Sequence, residues 1–523
     1  MFGVRKFGTL PFGRYPDPAG GYMSVIVRHD VSLKTTYEIF VATREFITTG
    51  DDDPADQPFS GMLDQPLNFR RSILGSDGIS GFLHGQGEMV MKNGGEFDFL
   101  PQFYALDGRD QEIRMGRTDL NYANWFTIFK GTATSFHVDE AEFRIDLEDY
   151  RYKLDVPLHT TVYGGTGGVE GGDDLAGRRK PRAFGHLRNV TPVLVKANSQ
   201  LYQINDGPVN AISAVYANGA ALTAGSDHAN SADLLAASIA SGFFDTCLAE
   251  GMFRVNYLLD GDVLTCDVEG DTTGGSFAET IGAIVRRIVA GSTVMSDPGD
   301  LYLPAFVAFE AAAPYQAGFY ADHNDAISVA EALARLVGYG NFVGFRRTGK
   351  LEIAQFAAPA SPPLMRFDDK DIVGIRRERL PDGIYPPPWR WRVAYGRNWT
   401  VQDELAGSVA DNVRAFLAEE LRYASAESAA TKINHPFAQE REVGGYLRNE
   451  ADAQSEANRL LALHASSSSL YRFTLDTRPF GLDVGDTVHV TYPRFDLSDG
   501  RLMRVVEINE NAADDAAEIV GFG

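Results

Sequence analysis

At 523 residues, with 44% hydrophobic and 11% aromatic side chains, the chain is too long for one core and apolar enough for several, so three or four domains of roughly 100–150 residues are expected. Its 71 acidic against 48 basic residues leave a formal charge of −23, which argues against a protein that grips nucleic acid through phosphates, since a negative surface repels DNA. The cysteines, Cys247 and Cys266, are too few for a disulfide scaffold or a cysteine-built zinc or iron–sulfur site, and are expected to be reduced, partly buried thiols.

The first 21 residues, MFGVRKFGTLPFGRYPDPAGG, are rich in glycine and proline and lack a signal-peptide pattern, so residues 1–23 are expected to form an arm that lies against a neighbour or is tied down late. No apolar run reaches the roughly 18–20 residues of a bilayer span. From 24 to 154, short alternating runs cut by turns predict a β-domain, a barrel or a sandwich. The runs are TYEIFVATREF, EMVMKN, FDFL, EIRMG, WFTIFKG, SFHV and EFRIDLED. Asn93-Gly94 and Asp107-Gly108 are hairpin signals, because such turns favour residues that tolerate positive φ. The acidic stretch GDDDPADQP at 50–58 lacks the ligand spacing of a calcium loop and reads as a solvated loop.

Residues 155–200 form a connector. Seven glycines fall between Gly164 and Gly177, and Arg178, Arg179, Lys180, Pro181 and Arg182 follow at once. Such a run reads as a hinge, either mobile or tightly turned, between two domains. A phosphate cradle is disfavoured, since neither GxxxxGK[ST] nor GxGxxG occurs and no helical pattern follows. A calcium-binding glycine–aspartate repeat is weaker still, because the motif does not recur.

Residues 201–360 change texture to an α+β unit. SFAETIGAIVRRIVAG carries a capping box, Ser276 with Glu279, and a stripe of Phe277, Ile281, Ile284, Val285 and Ile288 closed by Gly291. SVAEALARLVGYG repeats the device with Ser328 and Glu331 and ends at Gly338. The two helices are expected on a small sheet of RVNYLL, VLTCDVEG, NFVGFRR and KLEIAQF, the last two joined by Arg347-Thr348-Gly349.

Residues 361–523 return to β texture with intervening helices. Alternation in PPPWRWRVAYGRNWTVQ puts Trp389, Trp391, Val393 and Tyr395 on one face and Arg390, Arg392 and Ala394 on the other. With so acidic a chain, core or subunit packing is favoured over base stacking, with a carbohydrate-binding face between the two. VADNVRAFLAEELRYASAESA and RNEADAQSEANRLLALHAS predict helices. The second has Ala453, Ala457, Leu460, Leu461 and His464 on one stripe, where His464 reads as a packed or surface residue rather than a ligand. LYRFTLDT, DTVHVTYPRF, LMRVVEIN and EIVGFG predict closing strands.

Ten histidines fall in no HExxH, HxH or Cys-His spacing, and there is no GxSxG. Carboxylate pairs of a glycoside hydrolase leave no such mark, so that chemistry stays open at this stage. No catalytic, cofactor-binding or metal residue is assigned, no cofactor is expected, and a non-enzymatic role is.

The order of motifs resembles that of baseplate or tail-tip hub proteins of long, noncontractile-tailed bacteriophages. In that family an acidic glycine-rich run and a leucine precede G-R-x-K-P-x-x-F/Y-G and N-x-x-P-x-L/V, matched here by Gly177, Lys180, Pro181, Gly185, Asn189 and Pro192. Further matches are Gly270 and Asp271, Arg286 and Arg287, and Arg347, Gly349 and Leu351. They continue with N-W-T-V-Q at 398–402 and the closing L-x-x-G-D-x-V from Leu482 to Val488. Asp496 stands where the family has a glycine. The resemblance covers nearly the whole chain. It implies a mainly β fold with an α+β insertion: two β-barrel-like hub domains at 24–154 and 361–523, plus a small α+β domain and helices in the C-terminal half. It further implies a homotrimer whose paired β-domains make a pseudo-sixfold ring in the tail tip of the virion, assembled in the host cytoplasm. Its partners would be a distal tail protein or tail-tube ring, a tape-measure protein and other tail-tip or fibre proteins, with DNA passing through without specific binding. A receptor- or glycan-binding tail module and a cell-wall-degrading tail enzyme are the alternatives.

Overall fold

The structure, a computed structural model, describes residues 20–30, 35–75, 78–98, 100–117, 120–256, 262–465, 468–476, 479 and 481–523. The expected arm lies almost wholly outside the described residues, and its last few enter the first strand, Gly20–Asp30.

The fold is mainly β. In Glu142–Glu148 side chains alternate, with Phe143, Ile145 and Leu147 buried and Glu142, Arg144, Asp146 and Glu148 on the other face. The apolar side meets Met89 and Met91 of Gly78–Lys92, Ile113 of Asp110–Arg117 and Phe129 of Phe126–Val138 in one core. Each such side chain contributes about 1.5–3 kcal/mol by leaving water. A second core gathers Phe473, Leu475, Val505, Ile508 and Ile519 from the closing strands.

These two β-regions are one sheet. Leu63–Gly75 of the first pairs antiparallel with Arg501–Asn511 of the second, Asn68 opposite Asn511 and Ser72 opposite Glu507. The path runs from Thr35–Ala42 at one end to Ile372–Glu378 at the other, within a 16-stranded sheet.

Beneath the seam lies a cluster of buried charges. Arg71 and Asp483 form an ion pair with each side chain 2% exposed. Arg346 reaches Glu352 at 2.6 Å and Asp483 at 3.7 Å, while Arg347 reaches Glu510 at 3.2 Å and donates to the Leu482 carbonyl at 2.6 Å. Nearer the surface, Arg472 ties Glu378, Glu507 and Glu518 within 2.9 Å. Removing water from so many charges is costly, so each must keep its counter-ion.

The strands expected for the α+β unit are distributed over three sheets. Leu264–Asp271 joins Val209–Ala217, Arg182–Val190 and Gly318–Ala321, and Met252–Val255 joins Leu201–Gln203 and Phe243–Cys247. The hairpin of Asn341–Phe345 and Leu351–Gln355 attaches instead to the large sheet, through Val343 beside Phe82. Helices Ile281–Ala290 and Val329–Val337 pack Ile284, Val285, Ile288, Leu333 and Leu336 into the largest core. The same core takes Trp391 and Val393 from a three-stranded sheet and Ala453, Ala457 and Leu460 from the helix Glu450–Ala465.

Ser328 caps its helix as expected, accepting from the Glu331 amide. Ser276 does not. The first of the two helices starts at Ile281 with Thr280 as its cap, because Glu279 and Thr280 are held extended: the Glu279 carbonyl accepts from the Ala317 amide and Thr280 bridges Gln316. Phe277 therefore sits outside the helix, edge-on to His186.

The helix expected across 409–429 is confined to Asp411–Leu417, and Arg422–Glu427 is a strand beside Arg390–Tyr395. Tertiary pairing overrides the helical preference of this alanine- and glutamate-rich stretch. Asn93-Gly94 makes no hairpin. The Asn93 amide instead organises a loop, accepting from Gly95 and Phe97 and donating to Asp98 and the Asp139 carbonyl, and a short helix, Leu100–Phe103, replaces the expected strand there. The turn at Asp107-Gly108 links two strands that both pair with Gly20–Asp30 rather than with each other.

Cys247 and Cys266 are buried and unbridged. Denaturing alkylation without reductant is expected to add two labels, and a single species two hydrogens lighter would contradict the structure. Arg71→Met strips Asp483 of its closest counter-ion and is expected to cost about 3–5 kcal/mol in urea denaturation. Arg71→Met combined with Asp483→Leu should recover most of that loss.

Candidate functional site

The glycine-rich connector is a closed loop. The Tyr163 amide donates to the Arg178 carbonyl at 2.8 Å and the Gly177 amide returns to the Tyr163 carbonyl at 2.9 Å. Inside it, Glu170 accepts from the Gly164 amide at 2.9 Å and from Lys180 Nζ at 2.8 Å. Leu175 and Tyr163 are buried against Val193, Val195 and Leu201. Five of the seven glycines, at 165, 167, 168, 171 and 177, hold positive φ, which explains their abundance. The contacts favour the tightly turned reading over the mobile one.

The basic run that follows does not converge on an anion. Lys180 is taken by Glu170, Arg178 turns to Asn324, and Arg182 is buried over Phe184 and beside Asp271 at 3.4 Å.

What the structure brings together is the set of motif residues. Asn189, at a φ of 56°, donates through Nδ2 to Asn398 Oδ1 at 2.7 Å and to the Thr400 carbonyl at 2.6 Å, while its amide donates to Asp267. Asn398 in turn closes the end of the helix Asp411–Leu417 by donating to the Leu417 carbonyl. Two motif segments some two hundred residues apart thus share one buried junction. Asp271 forms another: Arg287 reaches it at 3.1 Å and Asn205 and Arg182 converge on its other oxygen. The contact of Arg347 with Leu482 makes a third. At Gly185, with φ of 64°, a side chain would lie 2.1 Å from the Ala317 carbonyl, so only glycine fits. These residues hold segments to one another.

The aromatic strand is equally committed. Trp391 is fully buried, stacked on His464 with ring centroids 5.1 Å apart, and Arg441 lies over it at 5.6 Å. Lys432 covers Trp389 at 3.9 Å. Trp391 offers no open face to a base or a sugar, and Lys432 already occupies a face of the half-buried Trp389. Two strongly exposed apolar side chains lie nearby, Phe437 at 85% and Ile433 at 78% exposure. Phe437 borders a groove of about 530 Å³ with Pro386, Pro388 and Gln439. Nothing in the sequence pattern singled them out.

Carboxylates with raised pKa are present, most of them well buried. Burial pushes Asp149 up to about 7 and Asp486 up to about 6, and it raises Glu352 beside Asp483. None of these three lines the groove of about 650 Å³ whose acids are Glu88, Asp146 and Glu148, although partial burial raises Glu148 there. Glu88 is already paired with Arg144 at 3.1 Å, and Asp146 accepts from the Ser135 hydroxyl. The acidic loop at 50–58 likewise spends Asp52 on the Thr49 and Tyr122 amides. Among the described residues no cluster of three or more His, Cys, Asp or Glu is arranged to hold a metal ion.

No protein-family model matches the chain. Nor does any curated protein match it in sequence. Among solved structures, the tail protein from Neisseria meningitidis MC58 is similar at 8% identity and a TM-score of 0.41, covering 96% of this chain and 97% of its own. Prophage tail protein gp18 from Listeria monocytogenes EGD-e gives 8% and 0.38 over 96% and 94%. The 43 kDa tail protein of prophage MuSo2 from Shewanella oneidensis gives 10% and 0.34 over 89% and 94%. All three are tail proteins. Likeness at this level assigns no activity.

Asn189→Ala removes two buried hydrogen bonds and places a Cβ residue less tolerant of left-handed backbone at this position. It is expected to cost about 2–4 kcal/mol in denaturant unfolding, with Asn189→Gly costing less.

Proposed function

We propose that the chain is a structural component of a phage-type tail tip, a baseplate hub that joins the tail tube or distal tail ring to the tip and surrounds or closes the DNA channel. The observation that carries this reading is the seam: two β-regions from opposite ends of the chain pair strand to strand in one sheet. Three such chains would present six β-regions to a sixfold tail ring. The motif residues that resemble the hub family support it further, because they are spent on holding segments together rather than on a cleft.

In this reading the chain is a homotrimer without enzymatic activity. It sits at the tip of the virion tail after assembly in the host cytoplasm, and contacts a distal tail or tube ring, a tape-measure protein and further tip or fibre proteins. The exposed Phe437 and Ile433 offer apolar contact area to such partners. The excess of 23 negative charges suits a conduit, since phosphates passing within about 8–10 Å of fixed cations would be held rather than released.

Light scattering of the purified chain, or electron microscopy of it or its particle, is expected to give threefold particles, in which channel-facing Asp and Glu outnumber Lys and Arg. A monomer at every concentration would remove the ring. A lumen lined mainly by arginines would remove the conduit argument.

A further inference from the structure

We propose that His464 is the trigger of an acid-sensitive joint, which on protonation releases the three-stranded sheet of Arg390–Tyr395, Arg422–Glu427 and Glu440–Leu447 from the helix Glu450–Ala465. This inference is independent of the tail-hub reading.

His464 occupies the last turn of that helix and is 2% exposed. Its ring stacks on Trp391 of the central strand at 5.1 Å and 23°, and Tyr339 lies 6.2 Å away on a third side. Neither ring nitrogen has a hydrogen-bond partner among the described residues, and neither do Trp391 Nε1 and Tyr339 Oη. A buried polar ring with no partner lowers stability, and a phenylalanine would fill the slot without that cost. What histidine adds is a site for a proton.

The charges facing that site are cationic. Arg441, on the neighbouring strand, lies over Tyr339 at 4.2 Å, and Arg459 approaches from the same helix. The carboxylate on this helix face, Glu456, is bound to Arg459 at 2.6 Å. On the strand that carries Trp391, Arg390 and Arg392 point to the opposite face and pair with Glu427, Glu440 and Glu442. Protonation would therefore place a third cation near two others, where no acceptor for it stands among the described residues. Burial, with Arg441 and Arg459 adding to it, holds His464 down to about 4.

The direction follows. A histidine whose pKa is lower closed than open contributes its full stability above about 6.5 and loses it as pH falls towards 4, because the open form takes up the proton first. The joint is where this acts, since the contact between helix and sheet is the one that contains the ring. The sheet that would be released carries the arginine–glutamate ladder and adjoins Ile433 and Phe437.

Hydrogen exchange of the full chain at pH 7.5 and 4.5, corrected for intrinsic exchange rates, tests this. Opening of segments 388–395, 422–427 and 440–465 is expected to become about 70-fold more frequent at pH 4.5, with the strand Val209–Ala217, remote from this joint, unchanged. In His464→Phe that change should vanish. Unchanged protection in the wild type, loss spread evenly over the whole chain, or equal loss in His464→Phe would each overturn the proposal. Should that variant fail to fold, the wild-type result decides alone: a single titration with its midpoint between pH 4 and 6.5, confined to those segments, supports the joint, and any other pattern overturns it.

Discussion

Everything in this molecule that is shared between its two ends depends on buried charge being paired. Arg71 enters from the first β-region, Arg346 and Arg347 from the hairpin of Asn341–Phe345 and Leu351–Gln355, Asp483 from the turn before Thr487–Val490 and Glu510 from Arg501–Asn511. No one segment brings a neutral set. A charge taken from water without its partner costs several kcal/mol, so each segment is held in place by the others as much as by its own apolar face. The seam between Leu63–Gly75 and Arg501–Asn511 lies directly on this cluster, and its backbone register and its ion pairs specify the same alignment.

The same logic recurs at Asn189 and at Asp271. In each case one side chain with several donors or acceptors is buried where two distant segments meet, and each takes most of its hydrogen-bonding capacity from backbone or from another buried polar group. Such residues are conspicuous in a sequence and easily taken for a binding motif. Here most of their hydrogen bonds are made inside the protein.

Local pattern was readable where local physics decides. The alternation of Glu142–Glu148, the cap at Ser328 and the apolar stripe of Glu450–Ala465 stand in the structure as the sequence implies. The pattern failed where a distant partner intervened. Ser276 and Glu279 have the spacing of a capping box, yet pairing of 279–280 with 316–317 holds them extended. Residues 422–427 have helical composition, yet a strand edge was waiting for them. The junctions are legible only as letters: Asn189 and Asn398 both stand in motif segments, and nothing in either segment says that they touch. Arg71 and Asp483 left no mark at all, because an arginine on a strand and an aspartate in a turn are ordinary until they are brought together. His464 was placed on the right stripe, but its stacking on Trp391 comes from a second strand that the helix pattern does not contain.

The pairing of first with last has a consequence for synthesis. Arg70 and Arg71 find their carboxylates 437 and 412 residues further on, so the strand that carries them emerges from the ribosome long before its neighbour exists. Until then Leu63–Gly75 is an open edge, the kind of surface on which nascent chains adhere to one another. Two adjacent arginines in the middle of that edge, solvated one on each face until their carboxylates arrive, make it a poor template for another strand. When residues 483 and 507 arrive, the same two side chains change role, and the groups that guarded the edge become the ones that close it.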